Sequence, residues 1–545
     1  RPHALFVPEQ MDAGQAQPLI VLLHGIYGDE RHLFHVLDEV RDLGAIVYQA
    51  ASYRQFDWSD VSAAETWAGL DQVLATYPID RERIYLIGYH IGGRGALQLA
   101  TDRPGLFAAI APMYPGIDTR PPYPAMRLYP EHYEAASDNR IPWPHFKKPP
   151  APEPVEDPVT ERIYEHLSLA TRAENLAGLP IWMVRGEADP HAAAERIALL
   201  QRCEQLGIDV RLDYVPGAMH GNQPPQLSDP AFYRWLLAQR RSGPPDRFTF
   251  AVTELRNNEG WYTRIDGLTS PLTPGRVRVN RDGDRFTFET AGVSALTPIL
   301  RPERLDLSQP VVTLVVDGQV FDGIATADLP QFRLIRNDGA WKQGVLADNH
   351  KRHGLSGPID DFQHDRFLCV RGTGGTDKAD AAVEKAARRI AHRGLGATFE
   401  SKADTEVTDA DIQQSHLVLV GTPSTNPLLA KIADRLPMSW TDDGLKIGPW
   451  SAGGEGGAAC LIYPNPLAPD RYVIVLTATS PAGYAIWNER TGVDFALGEV
   501  DASTGKLKTI TRGCFDAQWR VDPALTTSRS EEHTSELQVT THNLV

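Results

Sequence analysis

The stretch that most limits what this chain can fold into is Tyr85-Leu86-Ile87-Gly88-Tyr89-His90-Ile91-Gly92-Gly93-Arg94-Gly95-Ala96-Leu97. It begins as an apolar strand, turns within a few glycine-rich residues and continues as a helix. The pattern is that of a G-x-S-x-G nucleophile turn, with His90 at the serine position. Its glycines permit a strained turn that lifts the central side chain above a sheet, and they let the helix pack closely on the strand. The frame is intact, and an imidazole stands where a hydroxyl is expected.

Three further segments end in residues suited to such a turn. Leu19-Ile20-Val21-Leu22-Leu23-His24-Gly25-Ile26-Tyr27-Gly28 reads as a buried strand running into an HG loop. A loop of that kind offers one backbone N–H to an oxyanion hole, and Ile91, the residue after the elbow position, offers the other. Ile181 to Pro190 reads as a strand ending in an acid, which suits Asp189 as the orienting carboxylate. Val215-Pro216-Gly217-Ala218-Met219-His220-Gly221 ends another strand at His220, the expected general base. The order elbow, acid, base is the one this arrangement takes in α/β sheets, and each residue sits just past a strand's carboxyl end.

On these residues, and on Tyr77-Pro78-Ile79-Asp80-Arg81-Glu82-Arg83-Ile84-Tyr85-Leu86 leading into the elbow, residues 1–245 resemble the prolyl-oligopeptidase-like and carboxylesterase-like bacterial hydrolases of the α/β-hydrolase superfamily. The resemblance implies Asp189 and His220 as acid and base, and Ile91 with Ile26 as the oxyanion hole. It implies hydrolysis of an ester or peptide bond in a small ligand, with no cofactor, and an exported protein. It carries no nucleophile onto His90.

A chain of 545 residues is too long for one core and suggests about three units. In residues 1–245, apolar strands (19–24, 45–51, 83–88, 107–112, 181–186, 209–215) alternate with helical stretches at 61–77 and 191–206, which predicts a doubly wound parallel sheet. The Pro- and aromatic-rich stretch 113–178 interrupts that alternation and reads as a cap. Residues 246–350 carry short alternating strands with turns at Asp282-Gly283 and Asp317-Gly318, predicting a small antiparallel β domain. Residues 351–528 return to a second α/β unit. There Phe367 to Arg371 leads into Gly372-Thr373-Gly374-Gly375 and a helix at 378–393. Strand–glycine loop–helix units can cradle phosphate, but this one lacks a Walker lysine and the GxGxxG spacing, so ordinary turn-and-cap chemistry is expected.

The net charge of −16 argues against a nucleic-acid partner, and no membrane-spanning run is visible. The four cysteines have no metal-ligand rhythm and read as buried small hydrophobes. The segment Arg529-Ser530-Glu531-Glu532-His533-Thr534-Ser535-Glu536-Leu537-Gln538 reverse-translates to AGATCGGAAGAGCACACGTCTGAACTCCAG, so residues 529–545 read as a translated sequencing adapter. With a start at Arg1-Pro2, this suggests a fragment from environmental DNA.

A histidine at the elbow leaves three chemistries open. The imidazole could block the seat of the scissile carbonyl, giving an impaired enzyme or a non-catalytic binder. It could act as a nucleophile through an acyl-imidazole. Or His90, Asp189 and His220 could hold a metal, with Glu187 and His191 nearby in sequence.

Overall fold

A computed structural model of the protein describes residues 3–9, 14–25, 28, 30–33, 36–50, 58, 61–116, 157–189, 193–220, 222–300, 307, 310–393, 397–488, 492–501, 504, 505 and 507–528. The expectations for Ile26 and His191, most of the cap stretch, residues 529–545 and the first two residues fall outside them.

Leu19 to Leu23 have no solvent exposure, as expected of a strand covered on both faces. They belong to a seven-stranded sheet ordered β1-β3-β2-β4-β5-β6-β7. Its strands are β1 (His3–Phe6), β2 (Gln17–Leu23), β3 (Ile46–Ala50), β4 (Ile79–Tyr89), β5 (Ala109–Met113), β6 (Ile181–Gly186) and β7 (Val210–Val215). Only β1 runs antiparallel to its neighbour; the other pairs are parallel. Helices α1 (Val61–Thr76), α2 (Ile91–Asp102), α3 (Pro158–Leu167), α4 (Ala193–Gln205) and α5 (Pro230–Ala238) connect or flank these strands. Two apolar clusters form, one containing Leu19, Val21 and Leu23 and the other Ile20 and Leu22. Alternate residues of one strand thus feed opposite faces of the sheet. This is the α/β-hydrolase architecture.

Two β-sheets follow. One is ordered β14-β13-β11-β10-β8 and the other β16-β15-β12-β9. Their strands are β8 (Arg247–Val252), β9 (Thr263–Leu268), β10 (Gly275–Asp282), β11 (Arg285–Ala291), β12 (Val293–Pro298), β13 (Val311–Val316), β14 (Gln319–Ala325), β15 (Leu334–Asn337) and β16 (Ala340–Gln343). Phe250, Val277, Phe288 and Leu314 from the first sheet share one core with Ile265, Leu296, Leu334 and Trp341 from the second. The all-antiparallel expectation needs one correction, because β11 and β13 pair in parallel. The chain leaves the first sheet through β12 before returning as β13, so no tight hairpin joins those two strands. The turn at Asp317-Gly318 is as expected, with φ of 47° and 86°. The other hairpin is offset by one residue: Asp282 pairs with Arg285, and the turn is Gly283-Asp284. Gly283 takes the positive φ, 60°, at the first turn position, where glycine is favoured.

The remaining main sheet is ordered β20-β17-β21-β26-β25-β27-β28-β29. It contains β17 (Phe367–Arg371), β20 (Ser401–Ala403), β21 (His416–Val420), β25 (Gly457–Asn465), β26 (Ala468–Ala478), β27 (Phe495–Val500), β28 (Leu507–Phe515) and β29 (Val521–Ser528). The short ladder β18 (His392–Arg393) with β19 (Ala397–Thr398), and the sheet of β22 (Met438–Thr441), β23 (Gly444–Ile447) and β24 (Trp450–Gly453), lie outside it. The first four strands of the main order are parallel and the rest antiparallel. Helix α6 (Asp377–Ala391) follows the glycine loop. The glycine amides of the loop are committed within the protein: Gly372 N donates to Val420 O, Gly374 N to Thr425 O and Gly375 N to Asp380 Oδ1. That removes the glycine donors from a phosphate cradle, in keeping with turn-and-cap chemistry. All four cysteines are buried and free, and burial pushes the Cys369 thiol up to about 12.

The β-rich segment and the last unit are tied by buried charge. Arg256 donates to Asp361 Oδ1 at 2.5 Å, and the Tyr472 hydroxyl donates to Asp361 Oδ2 at 2.5 Å. Burial alone would raise the Asp361 pKa, but Arg256 outweighs it and holds the carboxyl below its usual range. This stabilisation is therefore complete above the unfolded carboxylate pKa, about 3.9, and is lost as pH falls through the lower folded value. Asp361→Asn should lower unfolding free energy by about 3 kcal/mol at neutral pH, because it leaves Arg256 buried without its counter-charge. It should also flatten the acid limb of stability against pH. Urea titrations of both chains between pH 3 and 7 measure this, and parallel acid limbs would refute the assignment.

Candidate active site

At the end of β4 the backbone reaches His90 with φ 59° and ψ −118°, a conformation that side-chain-bearing residues rarely adopt. The turn is pinned from both sides. His90 N donates to Met113 O at 2.9 Å, and Gly93 N donates to His90 O at 2.9 Å. The glycines around it answer to space as well as to φ. A Cβ on Gly88 would lie 1.9 Å from Gly92 O, and one on Gly92 would lie 2.2 Å from Leu23 O. These close approaches let α2 begin directly over the ends of β4 and β2. Ile91 is thereby placed at the first helical position beside the HG loop, and a Cβ on Gly25 would lie 3.1 Å from His90 Cβ.

The acid and the base come from adjacent strands whose following loops are sewn together. Glu187 N donates to Val215 O at 3.0 Å, and Ala188 N donates to Ala218 O at 3.0 Å. Asp189 and His220 consequently lie side by side, with His220 Nδ1 2.9 Å from Asp189 Oδ2. An ionised carboxylate only accepts, so Nδ1 carries the proton in this bond and Nε2 is the basic nitrogen. The His90 and His220 rings meet edge to face, with centroids 4.4 Å apart at 64°. His90 is 5% exposed, and Asp189 and His220 are 6% exposed. The three side chains expected from the sequence therefore converge in one buried group.

Two neighbours were missed by sequence reasoning. Arg185, buried near the end of β6, donates through Nη2 to the Asp189 carbonyl oxygen. Burial lowers the pKa of its guanidinium, and the charge of Asp189 opposes that shift. A cation in the otherwise apolar run Ile181-Trp182-Met183-Val184-Arg185 was the available signal. Tyr114 follows β5 with φ 50° and is fully buried. Burial, then the nearby Asp189 charge, raise its hydroxyl pKa. Neither residue belongs to a motif.

Among the described residues, no three His, Cys, Asp or Glu side chains are grouped as a ligand set. His220 Nδ1 is spent on the Asp189 carboxylate, and Glu187 Oε2 accepts from Gly217 N instead. His220 Nδ1 and the Asp189 carboxylate face each other at hydrogen-bond distance, whereas a shared ion would need both to face a common point.

The profile of the prolyl oligopeptidase family matches residues 49–238, a span containing the elbow, Asp189 and His220. These residues form a prolyl oligopeptidase family domain. An ethyl acetate hydrolase of Pseudomonas putida is 25% identical to the chain over 232 residues, covering 40% of this chain and 70% of that protein. Among solved structures, a thermostable esterase is similar at 19% identity, with a TM-score of 0.29 over 44% of this chain and 58% of its own. A putative dipeptidyl aminopeptidase IV from Bacteroides ovatus is similar at 15% identity, with a TM-score of 0.32 over 43% of this chain and 33% of its own. The chain thus spans between a third and three fifths of the lengths of these two structures. Among the described residues, the prolyl oligopeptidase family domain and the parts that follow it contain no helix long and apolar enough to cross a membrane.

Proposed function

We propose that the prolyl oligopeptidase family domain is an acyl-binding pocket of the ester- and peptide-hydrolase type, disarmed at its nucleophile. Asp189 orients His220, His220 is the general base, and Ile91 N–H with the N–H of Ile26 forms the oxyanion hole. One observation carries the reading: an imidazole occupies the strained elbow position at φ 59°, in ring contact with His220. A serine there presents Oγ one atom beyond Cβ, whereas the His90 ring extends into the space where the scissile carbonyl would rest. The oxyanion donors must lie about 2.7–3.1 Å from the developing charge, a geometry set for a serine-sized nucleophile. The ligand is a small ester or peptide-like molecule. The ethyl acetate hydrolase relative favours a short acyl group, and the Pro- and aromatic-rich stretch at 113–178 is proposed as a cap over the pocket.

A second reading keeps turnover. The ring contact with His220 also suits an imidazole nucleophile: His220 Nε2 takes the proton from His90 as His90 attacks the carbonyl, the ester's C–O bond breaks and the alcohol leaves with that proton, and water then cleaves the acyl-imidazole to the acid and free His90. His90→Ala separates the two readings. On the first, the slow hydrolysis of an activated phenyl ester by the natural chain is unchanged or rises, because the ring supplies no chemistry and its removal opens the seat of the carbonyl beside the oxyanion hole. On the second it falls by about 10²-fold or more, the usual worth of a reacting group. Initial rates on matched protein samples decide between them.

A further inference from the structure

Strand β17 lies between β20 and β21. The chain leaves β17 through α6, returns as β20 on one side, and then crosses to β21 on the other, with every pair parallel. The winding reverses at β17, and in open α/β sheets ligands bind outside the carboxyl ends of the strands at such a reversal. Two loops meet there, residues 372–376 after β17 and residues 421–426 after β21. They are joined by the Gly374 N to Thr425 O bond, and Gly372 N donates to Val420 O at the end of β21. A Cβ on Gly372 would lie 2.6 Å from Thr425 O, so only glycine allows the loops to come this close. Their rim is hydroxyl-rich: Thr373, Thr376 and Ser424 are exposed, and Thr422 Oγ1 lies 2.8 Å from Ser424 Oγ.

Asp404 stands at the carboxyl end of β20 and is 7% exposed. Its Oδ1 accepts from Thr373 Oγ1 at 2.7 Å and from Thr405 N at 3.0 Å, which turns the carboxylate toward the glycine loop. Its Oδ2 is buried with no hydrogen-bond partner. A buried carboxylate oxygen without a donor is costly and calls for a partner. Arg371, half-buried at the end of β17, makes no hydrogen bond or ion pair among the described residues. Asp404 Oδ2 is thus an acceptor, and Arg371 at the end of the neighbouring strand a cation, that no described protein group uses.

The charge pattern selects the ligand. The amides of Gly372, Gly374 and Gly375 are spent internally, and Asp377 and Asp380 occupy the first turn of α6, where a phosphate would otherwise sit. A neutral, hydroxyl-bearing molecule meets none of that repulsion. We propose that this crevice is a second ligand site that takes the vicinal diol of a neutral sugar. One ligand hydroxyl donates to Asp404 Oδ2, its neighbour accepts from Arg371, and Thr373 rotates about χ1 to admit them. The diol can come from a ribonucleoside or from a free sugar.

Saturation-transfer NMR and calorimetry on the full chain test this with adenosine and methyl α-mannoside, each beside its 2,3-dideoxy or 2′,3′-dideoxy counterpart, and with inorganic phosphate. The diol probe should bind, and its dideoxy partner should bind at least about tenfold more weakly, as befits loss of a hydrogen bond to a charged group. Binding of adenosine alone assigns a nucleoside site; binding of the mannoside assigns a free sugar. Asp404→Asn should weaken the bound probe by a similar factor, with its circular dichroism unchanged. The dideoxy comparison stands on the natural chain even if that variant fails to fold. The proposal is overturned if neither diol binds at millimolar concentration, if the dideoxy partners bind equally well, or if phosphate binds in their place.

Discussion

His90→Ser is expected to raise hydrolysis of a short activated ester by about 10³-fold or more over the natural chain. The estimate rests on what a complete nucleophile–base–acid group adds beyond the oxyanion hole and binding, up to about 10⁶-fold in kcat, less the loss expected where the surrounding pocket has adapted to an imidazole. The backbone needs no rebuilding. The elbow already holds φ 59°, and Met113 O and Gly93 N fix it through main-chain atoms that the substitution leaves in place. Removing the ring also clears the space in front of His220, whose Nδ1 is already engaged by Asp189 at 2.9 Å. The variant should additionally label with a fluorophosphonate, and the natural chain should not, because that reagent reports an activated serine. If the variant folds but neither turns over nor labels, the Asp189–His220 pair is not poised for catalysis and the proposed pocket is wrong.

The elbow was legible in the sequence because its constraint is local. Gly88, Gly92 and Gly93 are required by backbone atoms that a Cβ would strike, so the spacing of the glycines in the sequence encodes the turn. Asp189 was legible because it follows the strongly apolar strand β6, and His220 because it follows β7, a mixed strand at the sheet edge; the strands' order brings their carboxyl ends together. Features that depend on packing through space left weaker traces. The Arg185 contact to the Asp189 carbonyl joins residues four apart across a turn whose shape no pattern announces. The parallel pairing of β11 with β13 depends on how far the chain travels between them, which alternation of apolar residues does not record. The hairpin at Gly283-Asp284 was displaced by one residue because Asp-Gly and Gly-Asp turns both suit two-residue loops, and only the strand register chooses. The metal alternative rested on residue types alone. Composition names candidate ligands, whereas coordination depends on where their lone pairs point.

In the His90→Ser background, Asp189→Asn should lower kcat by about 10⁴-fold with little change in KM. The loss comes from the His220 tautomer. Ionised Asp189 can only accept, so it selects the His220 form with the proton on Nδ1 and the lone pair on Nε2, facing the proton it must take. An asparagine can turn its NH₂ group toward Nδ1 and donate, which stabilises the opposite tautomer and places the proton on Nε2. The base is then already protonated at the position where it should accept. Substrate contacts are untouched, so the loss falls on kcat; a rise in KM of similar size would instead mark a disturbed pocket. Arg185 would keep the loop in place, since it donates to the main-chain oxygen of residue 189, which both side chains share. A fall of less than about tenfold would show that Asp189 does not set the state of His220, and the orienting role would then have to pass to another group.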